Sequence, residues 1–164
     1  SLHDALPIYD TDYLFRRCPL DEIVSACARK YAKLFILKKI SLSFQPTGMT
    51  VLTDEKWLSF VIEQLLSNAL KYTHPGGCIR ILKDGSCLVI ADNGIGIRSE
   101  DLPRVFEKGF TGCNGRNDKK STGIGLYLCK KITGRLGHDL TISSVPGTGT
   151  RVYLHLSGGP AVVE

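Results

Sequence analysis

No run of roughly 18 consecutive apolar residues occurs in the 164-residue chain, so no segment reads as a membrane-spanning helix. The N-terminus also lacks the basic-then-apolar pattern of a secretory signal. There is no C-x-x-C, and no histidine stands at ligand spacing from a cysteine pair, which disfavours a zinc site. Without a secretory signal, the six cysteines read as small core residues of a reducing cytosol, not as a disulfide framework. G-x-x-x-x-G-K-[ST] is missing, which removes a P-loop. H-R-D and D-F-G are missing, which removes the protein-kinase fold. No glycine turn opens a helix with a ribose-binding acid downstream, so a dinucleotide fold is disfavoured. The net charge of +5 is mild and scattered, with pairs such as Arg16-Arg17 and Lys119-Lys120. That describes a solvated surface, not a nucleic-acid footprint.

What remains is an ordinary globular composition, 43% hydrophobic and 23% charged, long enough for one domain with a proper core. Residues 1–18 have no clear period and read as a linker or cloning remnant; residues 158–164 read as a frayed tail. A helix is expected from Pro19 to Leu37, with Ile23, Ala26, Cys27, Tyr31 and Leu34 inward. "KISLSFQP" and "TVLTD" read as strands, and Thr53 or Asp54 caps a helix over residues 55–73. "CIRILKD" and "SCLVIAD" form a hairpin about Asp84-Gly85. "GIGLYLCKKITGRLG" is helical and stops at Gly137. "DLTISSV" and "TRVYLHL" close the chain as a hairpin around Pro146-Gly147. Strands run in hairpins and do not alternate one for one with helices. This argues for an α+β two-layer sandwich: a mixed, mostly antiparallel sheet with about three main helices on one face.

The stretch from Gly94 to Thr122 has little period and is long for a compact domain, which suggests a functional lid. It is expected to run from about Arg98 to Thr122, with Phe106 and Phe110 as anchors. Of the four histidines, His74 reads as a helix-end cap, His138 as a loop residue and His155 as solvent-facing; His3 lies in the linker.

The chemistry lies in an ordered set of motifs. In "IEQLLSNALKYT" the apolar positions recur at helical spacing, but Gln64, Asn68 and Lys71 fall on one stripe of the same helix. "ADNGIGI" sets Asp92 at the end of an apolar strand, with Gly94 and Gly96 after it. Glycines there allow close approach to a flat ligand and positive φ, and a carboxylate there can accept from an exocyclic amine. "STGIGLYL" brings Gly123 and Gly125 to a helix entry, where free N–H groups bind phosphate. "PGTGT" adds Gly147 and Gly149. Each alone is weak, and "GTGT" by itself is a hairpin turn.

In order, "EQLLSNALKYT", "DNGIGI", "FEKGFTG", "GIGLYL" and "GTGT" resemble the N, G1, F, G2 and G3 boxes of the catalytic ATP-binding domain of sensor histidine kinases. That domain has the Bergerat-type fold shared with gyrase, Hsp90 and MutL. The resemblance covers about residues 20–156. The run "TDEKWLSFVIEQLLSNALKYT" looks like the kinases of bacterial antimicrobial-peptide sensing and resistance systems. The resemblance implies ATP and Mg2+ as cofactors, with Asn68 as the metal ligand, where Mg2+ prefers few protein oxygens. Lys71 would meet phosphates, Tyr72 would lie near the nucleotide, and Asp92 would accept from the adenine amino group. Gly94, Ile95, Gly96 and Ile97 would border the base. Phe110 would come from the F box, and Thr122, Gly123, Ile124, Gly125 and Leu126 would hold phosphates at the lid hinge. Thr150 would line the adenine pocket.

Many histidine kinases carry asparagine where this chain has Gln64, and hydrolysing relatives carry a water-activating glutamate. A glutamine amide accepts no proton near neutral pH, so it cannot be a general base. No catalytic residue is certain; Gln64 and Glu63 are the candidates. The implied activity is donation of the γ-phosphate to a histidine on a dimerisation domain outside these residues. A response regulator would act downstream, and the fragment would be a monomer on the cytoplasmic side of a membrane-anchored receptor. It would neither insert into the membrane nor bind nucleic acid. Two alternatives stay open: a nucleotide-binding regulatory module without transfer, and a hydrolysing ATPase of the gyrase or Hsp90 type.

Overall fold

The computed structural model describes residues 13–110 and 125–156. Its elements are β1 (Arg16–Pro19), α1 (Leu20–Lys30), α2 (Ala32–Lys38), β2 (Ser41–Phe44), β3 (Thr50–Thr53), α3 (Glu55–Tyr72), β4 (Cys78–Asp84), β5 (Cys87–Asp92), a single 3-10 turn (Leu102–Arg104), α4 (Gly125–Arg135), β6 (Asp139–Val145) and β7 (Gly149–His155). Five strands form one sheet in the order β2-β4-β5-β7-β6, in which only β2 and β4 run parallel. β1 and β3 make a separate antiparallel pair. This is the expected mixed, mostly antiparallel two-layer architecture.

Alternation along the strands decides which face is covered. Ile79, Ile81, Leu88, Ile90, Leu140 and Leu154 are fully or almost fully buried and join one core with Trp57, Leu58, Ile62, Leu65, Leu66 and Leu70 of α3 and Ile132 of α4. α3 starts where Asp54 Oδ1 accepts the Trp57 N–H at 3.0 Å, so Asp54 is the cap of the two candidates. Its other oxygen accepts the Leu14 N–H at 2.6 Å.

Several expectations shift. The core reaches into the expected linker, because Cys18 of β1 is 1% exposed and packs in it. The single helix over 19–37 breaks at Tyr31 (φ −101°, ψ 7°). After the break Phe35 turns inward, while Leu34, Ile36 and Leu37 are exposed. Ala26 is exposed too, since Leu20, Ile23, Val24 and Cys27 define the buried stripe. The β4–β5 register pairs Asp84 with Cys87, so the two turn residues are Gly85, at φ +60°, and Ser86. Among the five described cysteines, all free, Cys18, Cys27 and Cys129 are buried; Cys78 and Cys87 are partly exposed. They stand on the sheet face turned away from the helices, where the core does not reach.

His138 lies in a loop as expected, but it is buried. One ring nitrogen, Nε2, stands 3.0 Å from Thr53 Oγ1, and Nδ1 has no partner among the described residues. Burial lowers its pKa to about 4.

Candidate nucleotide site

The polar residues of α3 divide between two directions. Glu63 turns toward α1 and pairs with Lys30 at 2.8 Å. Ser67 also turns that way, to the Tyr31 hydroxyl. Gln64, Asn68 and Lys71 lie along the other stripe. Gln64 faces the start of α4, since a Cβ added at Gly125 would stand 3.0 Å from Gln64 Oε1. Among the described residues the Gln64 and Asn68 amides have no side-chain hydrogen-bond partner, and both side chains are half-buried. Lys71 Nζ lies 5.3 Å from the Tyr72 ring centroid.

Asp92 ends β5 opposite Thr150 of β7. Its Oδ1 accepts the Gly94 N–H at 2.9 Å. Burial pushes the carboxyl above its ordinary range, while the N–H groups of Gly94 and Thr150 pull it back. The acid is therefore oriented by two backbone donors and largely withdrawn from water, the setting in which a carboxylate discriminates a donor partner.

The glycines of this region are needed first by the chain itself. A Cβ at Gly94 would fall 2.2 Å from the Tyr72 carbonyl oxygen, and one at Gly149 would fall 2.0 Å from that of Asp92. Gly94 lets the loop after β5 lie against the end of α3, where the Ile95 N–H donates to the Tyr72 carbonyl at 3.0 Å. At Gly96 the obstacle to a Cβ is the Val145 carbonyl, 2.3 Å away.

Sequence reasoning passes over Ser144. Its Oγ accepts the Ile97 N–H at 2.8 Å, donates to the Gly149 carbonyl at 2.9 Å and stands 2.8 Å from Thr150 Oγ1. It ties the loop after β5 to the β6–β7 hairpin. The only prior signal is its cross-strand place opposite Thr150, which requires the register to be known.

The described start of the expected lid is anchored. Val105 is buried, Phe106 packs against the core, and the Arg104 guanidinium lies 4.6 Å from the Phe110 ring centroid. Arg98 pairs with Asp101 at 3.0 Å. Gly125 and Leu126 open α4 beside Gln64; Thr122, Gly123 and Ile124, with the rest of the lid from residue 111, lie outside the described residues.

Asp92 and Thr150 stand at adjoining ends of β5 and β7, and the Gly94–Ile97 loop lies against the C-terminal end of α3 at Tyr72, the helix that carries the amide stripe. A two-layer sandwich with this ordered set defines an ATP-binding module. The chain belongs to the family described as histidine kinase-, DNA gyrase B- and HSP90-like ATPase, which it matches over residues 53–159. It is 37% identical over 154 residues to the sensor histidine kinase YxdK of Bacillus subtilis (strain 168), an alignment that covers 90% of the chain and 47% of YxdK. It is 36% identical to the sensor protein BceS of Halalkalibacterium halodurans, covering 94% of the chain and 47% of that protein. With the sensor protein kinase GraS of Staphylococcus aureus (strain MRSA252) it shares 42% identity over 63% of the chain and 31% of GraS. The chain thus spans about half the length, or less, of these relatives. Among solved structures, a mycobacterial sensor histidine kinase, MprB, superimposes with a TM-score of 0.72 at 22% identity, covering 85% of this chain and 95% of that one. The fold is the one expected from the five motifs.

Proposed function

We propose that the chain is the catalytic domain of a sensor histidine kinase of the antimicrobial-peptide-sensing type. In this reading it binds Mg-ATP and donates the γ-phosphate to a histidine on a dimerisation domain of the same full-length protein. A cognate response regulator would take the phosphate next, and the domain would lie on the cytoplasmic side of an anchored receptor. The observation that carries the reading is Asp92: a half-buried carboxylate, approached by the N–H groups of Gly94 and Thr150, on a chain whose α3 carries two amides unengaged among the described residues.

Asp92 would accept from the adenine amino group, and Thr150 and Ser144 would hold that edge of the pocket in place. Lys71 would place its ammonium against the phosphates. The donor set suits magnesium: the Asn68 amide oxygen is unengaged among the described residues, as is that of Gln64, and no cluster of three His, Cys, Asp or Glu stands there among them. Mg2+ keeps most of its shell as water and phosphate oxygen, so a single protein oxygen suffices. Bound there, it would neutralise charge on the phosphates. Gln64 sits where a water-activating acid would be needed for hydrolysis, and its amide takes no proton. The site would therefore preserve ATP for transfer. Glu63 is engaged with Lys30 on the far side of α3 and takes no part.

The test is to mix the chain with a matching dimerisation domain and radioactive ATP, then quench in alkali, where phosphohistidine survives. Label on the dimerisation-domain histidine is expected. ATP binding without label supports the regulatory module instead, and steady phosphate release without label supports the hydrolysing alternative.

A further inference from the structure

At the opposite end of β5 from Asp92, roughly 17 Å away along the strand, a second set of chemically active side chains stands in one row. Cys87, His155 and Asp139 are cross-strand neighbours on β5, β7 and β6, on the face turned away from the helices. Cys87 Sγ lies 3.1 Å from His155 Nδ1. His155 Nε2 lies 2.8 Å from Thr141 Oγ1. The Tyr153 ring flanks the imidazole, with centroids 6.4 Å apart. The Asp139 carboxylate is turned to Lys130 at 2.9 Å, which leaves Thr141 as the partner of Nε2. His155 is therefore not simply solvent-facing: both its nitrogens are engaged, and Cys87 is partly exposed beside it.

We propose that Cys87 is a modification site, a nucleophilic thiol served by His155 as base and Thr141 as the group that orients it, open to small disulfides. Nucleophile, base and orienting hydroxyl within hydrogen-bond reach are the arrangement that activates a weak nucleophile. With the Nε2 proton donated to Thr141 Oγ1, Nδ1 presents its lone pair to the thiol. Burial and the nearby Asp84 push the thiol above its ordinary range, so the attacking thiolate depends on transfer of its proton to His155 Nδ1. The step balances. Cys87 sulfur bonds to one sulfur of the disulfide R–S–S–R, and the S–S bond breaks. The thiol proton passes to His155 Nδ1 and then to the departing R–S−. Products are the Cys87 mixed disulfide and R–SH.

Cys78 is the internal reference: also partly exposed and on the same sheet face, without a histidine partner among the described residues. The chain would be incubated with oxidised glutathione and the mixed disulfide at each cysteine followed by peptide mass spectrometry. Cys87 is expected to react about tenfold faster than Cys78, a modest share of what positioned bases contribute in active sites. His155→Ala is expected to bring Cys87 down to the rate of Cys78 with the melting temperature preserved. Thr141→Val serves as a second variant should His155→Ala fold poorly, and is expected to slow Cys87 several-fold. Equal rates at the two cysteines in the unaltered chain, or a Cys87 rate untouched by both variants, would overturn the proposal. Neither outcome bears on nucleotide binding.

Discussion

The Asp92 end of β5 and the His138 turn beside β3 each withdraw an ionisable side chain from water, and they resolve the cost in opposite ways. At Asp92, backbone N–H groups from Gly94 and Thr150 are aimed at the carboxylate. They offset part of the cost of burial, though the carboxyl still lies above its ordinary range. At His138 burial acts alone, with no charged hydrogen-bond partner among the described residues. One nitrogen meets Thr53, the other has no partner among the described residues, and the ring stays neutral down to about pH 4. Both groups are shifted toward the neutral form, but only at Asp92 do donors oppose the shift, which is the feature that makes it the candidate for a ligand contact.

Four substitutions test the contrast. The largest effect is expected for Asn68→Ala, which removes the amide oxygen proposed as the metal ligand. Phosphotransfer to a matching dimerisation domain is expected to fall about 100-fold or more, the scale of losing one positioned electrostatic group, with the ligand-free melting temperature unchanged. Transfer at the normal rate would give the α3 stripe another purpose.

Next comes acid stability at His138. Its folded pKa lies below its unfolded value, so the unfolded chain binds the proton first as pH falls from about 6.5 toward 4. Stability is present above that window and is lost through it. The full loss is about 3 kcal/mol at 1.36 kcal/mol per unit, and His138→Gln is expected to flatten that part of a urea-denaturation series against pH. An unchanged slope would assign the acid sensitivity elsewhere.

Asp92→Asn is expected to weaken ATP binding by about 1–3 kcal/mol in calorimetry, the range for a buried hydrogen bond to a charged group. Its sign on stability is the reverse of His138. A carboxyl with raised folded pKa adds stability below its unfolded pKa and loses it as pH rises through the folded value. The ligand-free variant is therefore expected to melt no lower at pH 7 than the unaltered chain. A clear drop would mean that the two N–H groups depend on the charge. The smallest effect is expected at Asp54→Ala. Loss of the α3 cap costs about 1 kcal/mol, read from the chemical-denaturation midpoint, with no effect on nucleotide affinity.

What could be read in advance follows the range of the interactions. The α3 cap, the β4–β5 hairpin and the order of motifs are written in residues a few positions apart. The break at Tyr31, the pairing of β1 with β3, Ser144 under the loop after β5 and the burial of His138 against Thr53 depend on partners far along the chain. No local period carries them. The glycines were legible as special, but the backbone crowding that requires them was not. Their missing Cβ atoms answer to carbonyls of α3, β5 and β6, which only the folded chain brings near.

The ATPase family match begins at residue 53, yet Cys18, Leu20, Ile23, Val24, Cys27, Phe35 and Val51 belong to the same core as α3 and the sheet, and β2 pairs with β4. The stretch that the family model matches is therefore shorter than the stretch that folds. A gene cut at the family boundary would strip one flank of α3 and leave β4 as a bare sheet edge, the kind of surface that recruits other chains. Expression limits for this domain belong before β1, whose Cys18 joins the core, and not where the family match starts.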